Sequence, residues 1–286
     1  MISEIFRCSI RPFNIIFPFP ILPLVVAIFA GDIQSIWKPV LFTFLYYPAN
    51  NLWNHINDAE DDFNAGKDTP LINEQVRKLA IWISTLFYLC SFTFLLFFSN
   101  YKYSILIYLV IFTATFLYSD NLLTHLRLKK HYLGEFFVYI VAVPTYVILM
   151  YSILKPPDLT TLKLVLLFTP IMISTLFIKD LKDISADKLA GLNTFAVRFH
   201  YKTLLKLFYF SLIVYFVLEF IVFWKDILQV AVLPLTIVIY SILKLYKENW
   251  EISHKSVEYI QYSIMSGILS LLIILLIKSF MLITLF

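Results

Sequence analysis

Charge is scarce in this chain. Lys, Arg, Asp and Glu make up 15% of its 286 residues, against about a quarter in an ordinary soluble domain. Cysteine is nearly missing: Cys8 and Cys90 lie far apart, which excludes a thiolate zinc site and a disulfide framework and leaves two thiols expected to be buried and inert. No Gly/Ser-rich or charged linker is long enough to separate two domains, so residues 1–286 read as a single transmembrane domain. The five histidines never pair at ligand spacing and read as surface or interfacial side chains. The net charge of +4 is modest, and no nucleic-acid partner is expected. The amino-terminal apolar run has a basic flank but no clear small-residue cleavage site, and it reads as a retained first helix.

What the chain has instead is apolar length. Sixty per cent of its residues are hydrophobic and the mean hydropathy is +0.81, the composition of an integral membrane protein. Runs that fit a bilayer core recur at about 13–31, 38–57, 78–98, 102–119, 133–153, 162–179, 203–223, 227–246 and 259–285. These nine spans predict an all-α bundle, with prolines inside spans 1, 5 and 6 tolerated where neighbouring helices satisfy the freed backbone. Alternating the polar segments between the two sides puts 17 of the 23 Lys and Arg on one side and 6 on the other. The positive-inside rule then predicts a cytoplasmic amino terminus.

Two acidic stretches interrupt this greasy chain, both on the predicted cytoplasmic side. The first follows span 2, Asn54-His55-Ile56-Asn57-Asp58-Ala59-Glu60-Asp61-Asp62; the second follows span 6, Lys179-Asp180-Leu181-Lys182-Asp183-Ile184-Ser185-Ala186-Asp187. Neighbouring carboxylates resist joint ionisation, and a helix carboxyl end makes them less welcome still. Asn54, Asp58 and Asp62 return to one helical face every four residues if span 2 continues as helix, and Asp183 and Asp187 repeat the step, with Asp180 a turn earlier. Two facing stripes of this kind suit Mg2+, which takes a few carboxylates and fills its remaining positions with water and phosphate oxygens. A solvated acidic loop would account for one such stretch; two matched ones at one membrane face call for a ligand. Asp58 and Asp183 are 125 residues apart, as are Asp62 and Asp187, which hints that spans 1–4 and 5–8 repeat a four-helix unit. Aromatic residues make up 18% of the chain, mostly for packing and interfacial anchoring, though an aromatic tunnel would also suit a polyisoprenoid tail.

At these residues the chain resembles the UbiA-type intramembrane prenyltransferase superfamily. Asp180-x-x-Asp183-x-x-x-Asp187-x-x-x-Gly191-x-x-Thr194 followed by Val197-Arg198 is similar to the family's second signature, and Asn54, Asp58 and Asp62 fit the first. Tyr118-Ser119, the run Leu126-Arg127-Leu128-Lys129 and Gly134-Glu135 look like the loop after span 4, and Arg11-Pro12 looks like the motif before the first helix. The chain departs from the pattern at Asn54-His55, where Asn-Asp is common, and at Lys67-Asp68-Thr69-Pro70, where Arg-Pro is usual. The gap from Tyr118 to the Leu-Arg-Leu-Lys run is also longer. A second register, Asn57-Asp58 with Asp61, fits the first motif almost as well.

The resemblance implies a nine-helix UbiA-like bundle around a central cavity and two magnesium ions bridging the clusters to an isoprenyl diphosphate. Prenyl transfer would be to a lipophilic acceptor. Asn54, Asp58, Asp61, Asp62, Asp180, Asp183 and Asp187 would be the metal residues, with Asp58, Asp62, Asp183 and Asp187 central to catalysis. Asn54, Lys67, Tyr118, Lys129, Lys179 and Arg198 would hold the substrate. The alternative is a transporter that uses the carboxylates as a cation or proton relay. The Asp-x-x-Asp-Gly-x-x-Ala-Arg signature of a CDP-alcohol phosphotransferase is absent. Glu219, inside span 7, is expected to snorkel or to pair with another helix, and Glu135 to orient a cytoplasmic basic residue.

Overall fold

The computed structural model describes residues 2–9, 21–222 and 232–283. Its helices are α1 (Ile2–Ser9), α2 (Ile21–Ala30), α3 (Trp37–Asn64), α4 (Glu74–Phe98), α5 (Ser104–Ser119), α6 (Tyr132–Leu154), α7 (Leu159–Ile178), α8 (Ile184–Leu189), α9 (Phe195–Arg198), α10 (Tyr201–Val222), α11 (Val232–Lys247) and α12 (His254–Ile283). Among the described residues, nine of these, α2 to α7 and α10 to α12, fall in the nine predicted spans; residues 13–20, 223, 227–231 and 284–285 of those spans lie outside the described residues. Among them α4, α6, α7 and α10 are each long and apolar enough to cross a bilayer. Arg11 and Pro12 lie outside the described residues. Helices α3, α6 and α7 run through Pro48, Pro144 and Pro170.

The bundle is inside-out relative to a soluble protein. Trp82 and Phe97 on α4 are 73% and 77% exposed, with Leu86 and Leu89 on the same outward side. Small hydroxyls, by contrast, are fully buried between helices. Ser84 donates to the Ala49 carbonyl of α3 (2.9 Å), Ser91 meets the Tyr108 hydroxyl of α5 (2.9 Å), and Ser104 donates to Ser152 of α6 (2.8 Å). In lipid there is little hydrophobic gain in pressing helices together, so close packing by small residues and interhelical hydrogen bonds take over. Cys90 lies on this outward face rather than in the core. Glu219 pairs across helices, accepting from Tyr215 (3.1 Å) and from Ser270 of α12.

Helix α3 positions the first acidic stretch. Its 28 residues give a rod of about 42 Å, longer than a hydrocarbon core of about 30 Å, so its last turns carry Asp58, Asp61 and Asp62 beyond the apolar run. Gly66 ends it at a positive φ of 76°, a conformation in which a side chain would be strained. The turn also lets the Lys67 N–H bond back to the Asp62 carbonyl (2.9 Å).

The second stretch is built differently from the expectation. Helix α7 stops at Ile178, and Asp183 stands at the start of the separate helix α8 instead of extending the same rod. Asp and Ser compete with helical backbone bonds, and acids gathered at a carboxyl end oppose the helix dipole; a break followed by a new helix avoids both.

Candidate active site

Between α3, α5, α6 and the α7–α8 segment lies a cavity of about 760 Å³. Both acidic stretches line it. Asn54, Asp58, Asp61 and Asp62 come from α3, and Asp180, Asp183 and Asp187 come from the opposite wall. Lys67 gives the separation directly. Its ammonium is 3.0 Å from Asp62 and 3.5 Å from Asp183, so one side chain touches both stretches. Burial works against that charge, but Asp62 and then Asp183 outweigh it and hold the amine above its ordinary range.

Arg127 and Lys129 reach the first stretch from the α5–α6 loop. Lys129 lies 2.5 Å from Asp58 and donates to Asn54 (2.7 Å), with its ammonium 5.8 Å from the centre of the Tyr118 ring. Arg127 bonds Asp58 at 2.8 Å and also Asp61. Both cations are largely buried. For Lys129, burial depresses the ammonium below its usual range even though Asp58 pulls the other way; for Arg127, Asp58 and Asp61 overcome burial and raise it. The loop holds this arrangement through Asp120, whose carboxylate accepts from the amides of Leu122, Leu123 and Thr124, and through an Arg127 backbone at φ 39°. Asn57 faces away from the cavity and accepts from the Asn121 amide (2.8 Å), tying the loop to α3.

Gly134 matters here because a Cβ would stand 2.3 Å from the Leu128 carbonyl oxygen. Gly134→Ala is therefore expected to push Leu128, and with it Lys129, out of register. Its turnover should fall at least about tenfold with every acidic residue intact; a variant with wild-type kinetics would show that the loop tolerates the displacement.

On the far wall, Lys179 lies 2.6 Å from both Glu135 and Asp180, and Glu135 also accepts from Tyr118 (3.0 Å). The basic residue that Glu135 orients is thus Lys179. Asp187 accepts from Thr194 (3.0 Å), and its carboxyl is raised by burial and by Asp180 and Asp183 nearby. Farther in, Val138, Tyr139, Ala142, Val143 and Met172 make the wall apolar.

Of the nominated residues, Asn54, Asp58, Asp61, Asp62, Lys67, Tyr118, Lys129, Lys179, Asp180, Asp183 and Asp187 all line this cavity. Arg198 does not: it ends α9, is exposed, and lies off the cavity wall. Arg127 takes the arginine's place in the site. It stands in the same Leu-Arg-Leu-Lys run as Lys129, and its place in that run is the signal in the sequence that points to it. Both Asp61 and Asp62 face the cavity, so neither register excludes the other. Among the histidines, His55 lines the cavity, while His131 and His200 accept from backbone amides at the starts of α6 and α10.

Such a fold, with acids and cations gathered at one end of an otherwise apolar bundle, defines a multi-pass integral membrane protein with a charged site at one end of its helices. The chain belongs to the UbiA prenyltransferase family, whose model matches residues 18–263. It is accordingly a transferase, and the transporter alternative is set aside. An uncharacterized protein of Archaeoglobus fulgidus is 32% identical over 265 residues, 88% of this chain and 91% of that one. Among solved structures, an apo UbiA homologue from Aeropyrum pernix superposes with a TM-score of 0.67 at 14% identity, covering 91% of this chain and 96% of its own. A UbiA homologue from Archaeoglobus fulgidus bound to DMAPP and Mg2+ gives 0.60 at 18%, covering 93% and 99%. A digeranylgeranylglyceryl phosphate synthase gives 0.65 at 16%, covering 94% and 98%.

Proposed function

We propose that this protein transfers a prenyl group from an isoprenyl diphosphate to a lipophilic acceptor within the membrane, with Mg2+ held between the two acidic stretches and the cytoplasm on their side of the bilayer. The observation that carries this reading is the single ammonium of Lys67 touching Asp62 and Asp183 at once, which brings the stretches to opposite walls of one cavity. The donor set fits the ion. Every nominated ligand offers oxygen, and magnesium binds through one or two carboxylates together with water and phosphate oxygens. Among the described residues no three acidic, His or Cys side chains converge as a ready-made metal cage. An ion shared with a diphosphate does not need one.

Asp58, Asp61 and Asp62 on one wall, with Asp180, Asp183 and Asp187 on the other, would hold the ions, and Asn54 would add a neutral oxygen. When bound, magnesium supplies Lewis-acid stabilisation of the charge that grows on the departing diphosphate. Arg127 would grip that diphosphate as a fork, and Lys67, Lys129 and Lys179 as point charges. The apolar wall from Val138 to Val143 receives the prenyl chain and keeps water from the allylic centre. The whole chain acts as one transmembrane unit in this reading. The bound DMAPP and Mg2+ in the Archaeoglobus fulgidus homologue support it.

The test is donor binding by calorimetry, followed by diphosphate release from geranylgeranyl diphosphate with a panel of hydroxylated acceptors. Binding and release are both expected to disappear when a chelator removes the metal and to return when Mg2+ is restored. Transfer at an undiminished rate in chelator would sink the proposal.

A further inference from the structure

Glu135 is fully buried, yet only half of its carboxylate is engaged. Lys179 and Tyr118 both bond Oε1, at 2.6 and 3.0 Å, while Oε2 has no hydrogen-bond partner among the described residues. A buried carboxylate oxygen without a donor is costly, and native structures rarely keep one for no purpose. Its position on α6 indicates what would meet it. Residues 135, 138, 139, 142 and 143 recur at helical spacing on the face that lines the cavity, so Glu135 is the polar head of the same wall that continues as Val138, Tyr139, Ala142 and Val143. Through Lys179 it is one ammonium away from Asp180. It therefore marks the junction between the charged end, where a diphosphate would sit, and the apolar lane, where a prenyl tail would lie. The bond that breaks in prenyl transfer joins those two parts.

We propose that Oε2 of Glu135 receives the acceptor's hydroxyl hydrogen, which makes Glu135 the base of the reaction. This inference rests on the prenyl-transfer reading and adds the acceptor side to it. In the step, the allylic carbon–oxygen bond breaks and its electron pair leaves with diphosphate. A lone pair of the acceptor oxygen forms the new bond to that carbon, and the hydroxyl proton passes to Oε2. With a phenol, the ring carbon beside the hydroxyl can attack instead; the hydroxyl proton goes to Oε2 and returns to the oxygen as the ring's own proton passes to the released diphosphate. Lys179 and Tyr118 keep Oε1 occupied and so leave Oε2 as the receiving atom.

Glu135→Gln tests this, because it keeps the shape and removes the basicity. Three quantities are read on the purified full-length protein with geranylgeranyl diphosphate and Mg2+. They are donor affinity, slow hydrolysis of the donor to the free prenol, and transfer to geranylgeranylglyceryl phosphate, 4-hydroxybenzoate or a dihydroxynaphthoate. The expected result is donor affinity and hydrolysis within about threefold of wild type, with kcat for transfer down by about a hundredfold or more. Glu135→Asp, which restores the carboxylate one methylene short, should recover about tenfold of that loss. Transfer within threefold of wild type in Glu135→Gln would overturn the assignment. So would hydrolysis falling in parallel with transfer, since that would mean Glu135 acts only by holding Lys179 against the donor. If Glu135→Gln does not fold, a Glu135→Asp variant that transfers to the hydroxylated acceptors at the wild-type rate, or whose donor hydrolysis falls in parallel with transfer, would overturn it equally. Failure of the wild-type protein to bind donor in Mg2+ would bring down the prenyl-transfer reading itself, and this inference with it. A defect-free Glu135→Gln in an active enzyme brings down this inference alone.

Discussion

Asp58→Asn is expected to remove both the reaction and a measurable part of the protein's stability. The carboxylate is where the first acidic stretch meets the loop: Lys129 lies 2.5 Å and Arg127 2.8 Å away, and the side chains of both cations are no more than about a tenth exposed. An asparagine leaves two buried positive charges facing a neutral amide. Breaking a buried pair by removing one partner costs about 3–5 kcal/mol, and Asp61 still serves Arg127, so the lower end applies. Thermal unfolding in detergent should shift downward by roughly 6–10 °C. Turnover should fall about a thousandfold or more, because a lost anchor for the diphosphate's counter-ion forfeits several kcal/mol of transition-state stabilisation. Donor binding should weaken mainly in the presence of Mg2+. A variant that melts with the wild type would show that the two cations do not depend on Asp58.

Asp183→Asn should separate these effects. Among the described residues its one close cation is Lys67 at 3.5 Å, and that ammonium is about half exposed and already held by Asp62 at 3.0 Å. Exposed pairs contribute little to folding, so the melting temperature should stay within about 1–2 °C. The loss of turnover should nonetheless match that of Asp58→Asn, because the opposite wall of the proposed metal site is gone. Comparable activity losses with unequal melting shifts are the expected pattern. Near-normal turnover in Asp183→Asn would remove this residue from the metal site.

The sequence alone showed the first acidic stretch well. A four-residue step from Asn54 through Asp62 at the end of an apolar run is a local pattern, and local helical geometry preserves it in the fold. The second stretch was harder to read, because the same spacing spans the end of one helix and the start of another, and a helix break leaves no periodic mark. Lys67 and Lys129 could be picked out by their nearness to motifs. Arg127 escaped notice because its approach depends on a left-handed backbone in an irregular loop, and no hydropathy pattern encodes that conformation. Arg198 holds the matching motif position, yet at the end of α9 it is exposed and stands off the cavity wall. The pairing of Glu135 with Lys179 joins residues 44 positions apart, one on α6 and the other just past the end of α7, and sequence read in one dimension offers no partner for either. Cys90 was misplaced for a different reason. In a bilayer an apolar position can face outward as readily as inward, so hydrophobicity no longer distinguishes core from surface.

Two short main-chain hydrogen bonds carry a mechanical consequence. The Tyr132 amide donates to the Asn193 carbonyl and the Asn193 amide to the Lys130 carbonyl, each at 2.8 Å. The strip that bears Arg127 and Lys129 is thereby buttoned to the strip that bears Asp187 and Thr194. Neither rim can swing outward alone: admitting a bulky guest must carry both sides as one flap or undo both fasteners together. Amide exchange at Tyr132 and Asn193 should therefore rise and fall in concert.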